Sequence, residues 1–328
     1  MPDLDSLSIL FIWTAIAIYA AAFVAYAFDL ARRSEVSSDA RLVRERETVL
    51  VGAGTSSSSG GDSADAASDA PAKPRYVMAR IGTSLTVLGF LFQLAATVTR
   101  GIAAERVPWA NLYEFAMTGT LLVVFVYLVV LIRVDLRFLG TFITGLVVVL
   151  MGAAAISFYV GVVPLMDPLK SVWLVIHVFV ASLGTAFFAL ACALSVLQLM
   201  QSRRERRLAE AAEKPGPRFL GTLPTADRLE GMAFRFAIVG FIFWTFTLIA
   251  GAIWAQDAWG RYWGFDVKET WTFIIWVLYA GYIHARATRG WRGNPSAWLS
   301  IVGFTAVIFN FTIVNVFFKG LHAYSGLS

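Results

Sequence analysis

FLGTFITGLVVVLMGAAAISFYVGVVPLM, residues 138–166, runs for 29 residues without one Asp, Glu, Lys or Arg. Crossing about 30 Å of hydrocarbon takes roughly 17–25 helical residues, so this stretch is long enough to span a bilayer. Working outward, seven further charge-free runs appear at 7–28, 81–99, 115–132, 171–202, 236–256, 270–285 and 293–318. Six of the eight reach 19 residues or more, and the others have 18 and 16. The runs are continuously apolar rather than alternating, which excludes a closed β-barrel. The fold class is therefore an all-α polytopic membrane protein of about eight transmembrane helices. Composition agrees: 58% of the 328 residues are hydrophobic and only 15% charged, against about 25% charged in soluble domains. The chain opens Met1-Pro2-Asp3 with no basic segment and no small-residue cleavage site, so the first run reads as a retained helix rather than a signal peptide.

Eight spans make the intervening loops alternate between two sides. Loops 29–80, 133–137, 203–235 and 286–292 hold 21 of the 27 Lys and Arg residues, and the loops of the other side hold 6. Basic residues accumulate in cytoplasmic loops, so the first set is predicted to be cytoplasmic and both termini to lie outside. The same bias accounts for the net charge of +5 without nucleic acid. Within the cytoplasmic set, residues 29–76 include Thr55-Ser56-Ser57-Ser58-Ser59-Gly60-Gly61, too polar for a core, and are predicted to be a disordered insert. The organisation expected is a first helix at 1–28, that insert, and a seven-helix membrane domain at 77–328.

The outward loop 254–269 reads Trp254-Ala255-Gln256-Asp257-Ala258-Trp259-Gly260-Arg261-Tyr262-Trp263-Gly264-Phe265-Asp266-Val267-Lys268-Glu269, followed closely by Trp271. Trp and Tyr favour the headgroup level of a bilayer, so an aromatic belt is one reading. A platform for a large planar ligand is the other, because the cluster sits on one loop and Gly260 and Gly264 allow close backbone approach. Helical spacing puts Trp259 and Trp263 on one face at i, i+4. Arg261 and Lys268 are placed to meet anionic substituents of such a ligand.

Only three histidines occur. His177 falls about six residues, roughly 9 Å, inside the outer end of the fifth run, and His322 follows the eighth at the outer surface. His284 lies about 14 residues into the seventh run, toward the cytoplasmic leaflet. A single intramembrane histidine is ordinarily a packing residue. Two imidazoles flanking an aromatic platform on one side also match what six-coordinate haem requires, whereas His284 alone needs a partner from another chain. The lone Cys192 provides neither a CxxC pair nor a CxxCH haem-attachment site.

Trp259–Asp266 closely resembles the tryptophan-rich WGxxWxWD signature of the haem-handling superfamily. Its continuation Lys268-Glu269-Thr270-Trp271 resembles the CcsA (ResC) branch, called CcsB in some lineages, of system II cytochrome c biogenesis. Asn111–Glu114, Trp173–His177, Tyr282–Arg286 and Asn315–Tyr324 also match, so the resemblance covers about residues 77–328. It implies that His177 and His322 ligate haem b at the outer face. It implies that His284 receives haem within the bilayer, opposite a ligand on a ResB-type partner. Trp254, Trp259, Trp263, Phe265 and Asp266 would form the haem platform, and Arg261 and Lys268 would contact the propionates. Phe265 stands where the signature usually ends in Trp, which removes an indole donor, and Val267 replaces a common Pro.

The implied activity is presentation of haem at the extracytoplasmic side of the plasma membrane for thioether attachment to the CxxCH of apocytochrome c. The substrate brings both thiols, kept reduced by a thioredoxin-like partner, so no nucleophile is required of this chain. Competing classes are a quinol-linked b-type electron carrier, which needs paired histidines, a solute transporter, and a system I haem-delivery protein. The single inner histidine and the absence of charge at mid-membrane argue against the first two.

Overall fold

The computed structural model describes residues 3–52, 77–162, 170–210, 216–288, 290–318 and 320–321, with side chains for 33–52 and 218 left out. Nine helices appear among them: α1 (Leu4–Gly52), α2 (Val77–Ala104), α3 (Leu112–Arg133), α4 (Gly140–Ser157), α5 (Val172–Ala209), α6 (Ala226–Trp259), α7 (Val267–Thr288), α8 (Asn294–Phe311) and the short α9 (Ile313–Phe317). Seven spans satisfy both length and hydropathy, α8 and α9 counting as one. The remaining helix, α7, has 22 residues, about 33 Å at 1.5 Å per residue, and its Trp and Tyr content lowers its hydropathy.

α1 does not stop at the end of its apolar run. It continues to Gly52, so residues 29–52 are helical where an insert without structure was expected. The reason is local: the segment Ala40-Arg41-Leu42-Val43-Arg44-Glu45-Arg46-Glu47 is rich in strong helix formers. The Ser/Gly-rich residues 53–76 lie outside the described set.

Helix ends follow from side-chain caps. Asn111 Oδ1 accepts from the Glu114 backbone N–H at 2.9 Å and starts α3, and Ser171 does the same for α5. At the other end of α6, Gly260 adopts φ +68°, the left-handed closure that glycine supports. α8 begins with Pro295 in its first turn, where the missing N–H is harmless.

The spans run up and down and group into two sets of four. In the first, α1 packs along α2 and α4, and α3 along α4. Its core is built on Tyr19, Val124 and Val147. Between helices in lipid the hydrophobic effect supplies little, and hydrogen bonds and close packing take over. Gln93 accordingly ties three helices, accepting from Tyr19 Oη at 2.8 Å and donating to Met117 O at 2.9 Å and Thr120 Oγ1 at 2.8 Å. In the second set α5 packs on α6 and α8, and α7 on α6 and α8, around Phe188, Trp244 and Tyr279. Phe188 and Tyr279 stack at 3.6 Å. Gly240 makes room, since a Cβ there would lie 2.7 Å from the Phe188 ring.

One end of the bundle carries the basic loops. There Glu230 of α6 accepts from Arg286 Nε of α7 at 3.0 Å and from the Gly293 N–H before α8 at 2.7 Å. Gln198 of α5 donates to Gly293 O at 2.8 Å. Four helices are thereby clamped at that end. The opposite end, where α3 meets the second set, opens into a cleft.

Candidate functional site

The cleft is bounded by the first turns of α3, α5 and α7 and the last turns of α6 and α8. Its walls are Trp109 before α3, Trp244 and Trp254 of α6, and Trp263 of the α6–α7 loop. Phe115 of α3 stacks on Phe311 of α8 at 4.9 Å and 22° across its lining.

His177 projects into this cleft from α5. Its Nδ1 lies 3.0 Å from the Thr247 carbonyl oxygen, which can only accept, so Nδ1 is the donor in this contact, and in the neutral ring the lone pair is then on Nε2. The ring stacks on Trp254 at 6.0 Å and 23°. α6 admits the imidazole because residue 251 is glycine: a Cβ there would lie 2.7 Å from His177 Cε1 and 2.8 Å from Nδ1.

Trp254 is 1% exposed and backed edge-on by Trp259 at 4.8 Å. Trp259 and Trp263 do not share a helical face as their spacing suggested. Gly260 ends α6 between them, so Trp263 lines the cleft while Trp259 packs behind Trp254. Phe265 is 80% exposed at φ +57° and meets Trp263 edge-on at 6.0 Å.

Asp266 and Glu269 form a capping box for α7. Asp266 accepts from the Lys268 N–H at 3.3 Å, and Glu269 Oε2 accepts from the N–H groups of Asp266 at 3.1 Å and Gly264 at 2.8 Å. Asp266 also accepts from the Leu321 N–H at 3.1 Å. Arg261 faces Glu269 at 3.8 Å and lies against the Gly264 α-carbon, with its guanidinium occupying the space a side chain would need. It does not line the cleft, whereas Lys268 does. The Lys268 ammonium is hydrogen-bonded to Asn315 Oδ1 and sits 5.8 Å from the Phe311 ring centre.

His284 is at the other end of α7, exposed on the outside of the bundle in one stripe with Phe273, Val277 and Gly281. The structure thus gathers His177, Trp254, Trp263 and Lys268 around one space and leaves His284 apart. His322 lies outside the described residues. Sequence reasoning missed Trp109, Trp244, Thr247, Gly251 and Asn310. A polar Asn310 inside an otherwise apolar run was a usable signal; the others are ordinary residues of apolar helices until the helices are packed.

These features define a polytopic helical membrane protein with a histidine-bearing aromatic cleft at the end opposite its basic loops. The chain belongs to the cytochrome c assembly protein family, whose model matches residues 109–322, and within it to the CcsA proteins, which places it in cytochrome c maturation. Cytochrome c biogenesis protein CcsA of Heterosigma akashiwo is 33% identical over 249 residues, covering 67% of this chain and 77% of that protein. CcsA of Guillardia theta is 30% identical over 260 residues, covering 76% and 86%. CcsA of a Synechococcus strain is 35% identical over 176 residues, covering 49% and 58%. The solved structure of cytochrome c heme lyase CcmF superposes with a TM-score of 0.60 over 95% of this chain at 16% identity. This chain spans about half of that one, 47% of its length, and the likeness is one of fold.

Proposed function

We propose that this chain is the haem-binding subunit of a system II cytochrome c synthase, holding haem b in the cleft and presenting it to apocytochrome c. The observation that carries the reading is His177, hydrogen-bonded through Nδ1 to the Thr247 carbonyl among tryptophan walls. A hydrogen bond from the second imidazole nitrogen to a carbonyl is the usual way a metal-ligating histidine is oriented. The lining suits a flat porphyrin, and Lys268 offers a half-buried cation to a propionate.

His322 is assigned as the second axial ligand. The described residue Leu321 donates its N–H to Asp266 at 3.1 Å. In this reading Asp266 serves haem through the α7 cap and that tether. Trp259 and Arg261 act from behind, supporting Trp254 and the loop. The substrate supplies the chemistry: two apocytochrome thiols add across the haem vinyl groups. The protein supplies orientation, which removes translational freedom from the encounter.

His284 is assigned to haem entering from the bilayer. An ionisable side chain on the outside of a membrane helix is costly unless covered, which supports a ResB-type subunit packed against the Phe273–His284 stripe. The distribution of basic loops supports a cleft on the extracytoplasmic side of the plasma membrane. A thioredoxin-like reductant would keep the substrate thiols available.

Protein extracted with its partner is expected to show the absorption bands of bis-imidazole haem. Preparations with no haem bands after haem supplementation would refute the assignment. Gly251→Ala is expected to push the His177 ring off α6 and weaken haem retention about 10–100-fold, the range for losing a metal ligand's orienting shell. Haemin titration followed at the Soret band measures it.

A further inference from the structure

Beside the cleft lies a second set of charged side chains that the haem reading does not use. Arg100, near the end of α2, is 0% exposed. It donates from Nε to Glu114 Oε1 at 3.0 Å and from Nη2 to Val160 O at 2.6 Å, and it pairs through Nη1 with Asp5 of α1. Its guanidinium lies 5.6 Å from the Tyr113 ring centre and 5.8 Å from that of Tyr159. Tyr159 in turn donates to Asp5 Oδ2 at 2.8 Å. Glu114, also 0% exposed, accepts from Arg106 Nη1 at 2.6 Å and from the Ala110 N–H at 2.9 Å. Two guanidinium and two carboxylate groups thus cancel in charge while joining α1, α2, the α2–α3 loop, α3 and the segment after α4.

Stability alone does not account for such a cluster, because apolar residues of similar volume commonly serve as well or better than buried ion pairs. Its geometry points to what it holds. The loop between α2 and α3 is fastened at Arg106 and Ala110 by Glu114, and at Pro108 O by the Thr118 hydroxyl at 2.7 Å. Trp109, a wall of the cleft, sits between the last two fastenings. Glu105 in the same loop has φ +52°, a strained conformation that persists only where surrounding contacts hold it.

We infer that the Asp5–Arg100–Glu114–Arg106 cluster is the positioning device for the α2–α3 wall of the cleft, with Glu114 as its central positioning residue. Asp5, Arg100 and Arg106 precede the family-matched residues 109–322, so α1 and α2 become part of the site rather than an appendage. The consequence for haem rests on the function proposed above; the placement of the wall does not.

Glu114→Asp tests it, because the charge survives while the carboxylate is drawn back by one methylene from Ala110 and both arginines. Spin labels go on Val107→Cys in the loop and Val172→Cys at the start of α5, both exposed, in a Cys192→Ala background of the full chain in lipid nanodiscs. The expected result is a broadened label-to-label distance distribution, with haemin affinity about 10-fold lower. Asp5→Asn, which acts only through Arg100 and Tyr159, is expected to broaden it less, and carries the test if Glu114→Asp does not fold. An unchanged distribution in folded variants overturns the inference whatever happens to haemin binding. Broadening with unchanged haemin affinity upholds the brace and removes haem from this cleft.

Discussion

His177→Ala is expected to abolish haem retention at the cleft and holocytochrome c formation with it. Losing the partners that merely orient a metal ligand costs about 10–100-fold in affinity, so losing the ligand itself must exceed that range. The helix is expected to survive, because alanine is the best helix former and the imidazole lies on a cleft wall rather than in the core. The space it leaves is bounded by Gly251, Thr247 and Trp254, and added imidazole is expected to restore part of the absorbance. The double variant His177→Ala with His322→Ala removes both proposed axial ligands. Unchanged maturation of a reporter cytochrome in that variant would disprove the ligand assignment. A variant lost from the membrane would instead point to a packing role for His177, which the imidazole addition distinguishes.

The second large effect is on stability. Glu230→Ala is expected to destabilise the protein by about 3 kcal/mol, because it strands a largely buried guanidinium without its counter-charge. Glu230 and Arg286 side chains are 4% and 17% exposed. The Arg286 guanidinium also lies 3.9 Å from the Phe234 ring centre, which holds it in place with no carboxylate to meet. The Gly293 N–H loses its acceptor as well, and the turn between α7 and α8 loses its fastening to α6. Arg286→Met added to Glu230→Ala should recover much of the loss, since the stranded charge is gone and the methylene packing remains. Denaturant unfolding of the four proteins gives the coupling energy by a double-mutant cycle. A single variant within about 0.5 kcal/mol of the parent, typical of exposed pairs, would show that water screens this one.

The two predictions sit at opposite ends of the second four-helix set, and sequence legibility differs between them. The histidine was visible as one of three in the chain, inside an apolar run where an ionisable group is conspicuous. Glu230–Arg286 was not, since the two residues are 56 positions apart and each reads as an ordinary member of a basic loop. The Trp259–Asp266 motif was legible as a unit but not in its parts. Trp263 faces the cleft, Trp259 stands behind Trp254, Asp266 caps α7 and Arg261 turns to Glu269. Gly260 was noted for its close approach to a ligand, and it acts instead by ending the helix.

What the linear chain determined by itself were the spans, their up-and-down order and the family. A backbone crossing lipid must satisfy its hydrogen bonds within its own segment, so a charge-free run of sufficient length commits to a helix without reference to any neighbour. Only the tertiary structure decided the rotation of each helix about its axis and the contacts across helices. That rotation turns His177 inward and His284 outward, and it is set by close approaches such as Gly251 to His177 and Gly240 to Phe188. Those approaches join residues more than 50 positions apart, and no local pattern of hydropathy carries their phase.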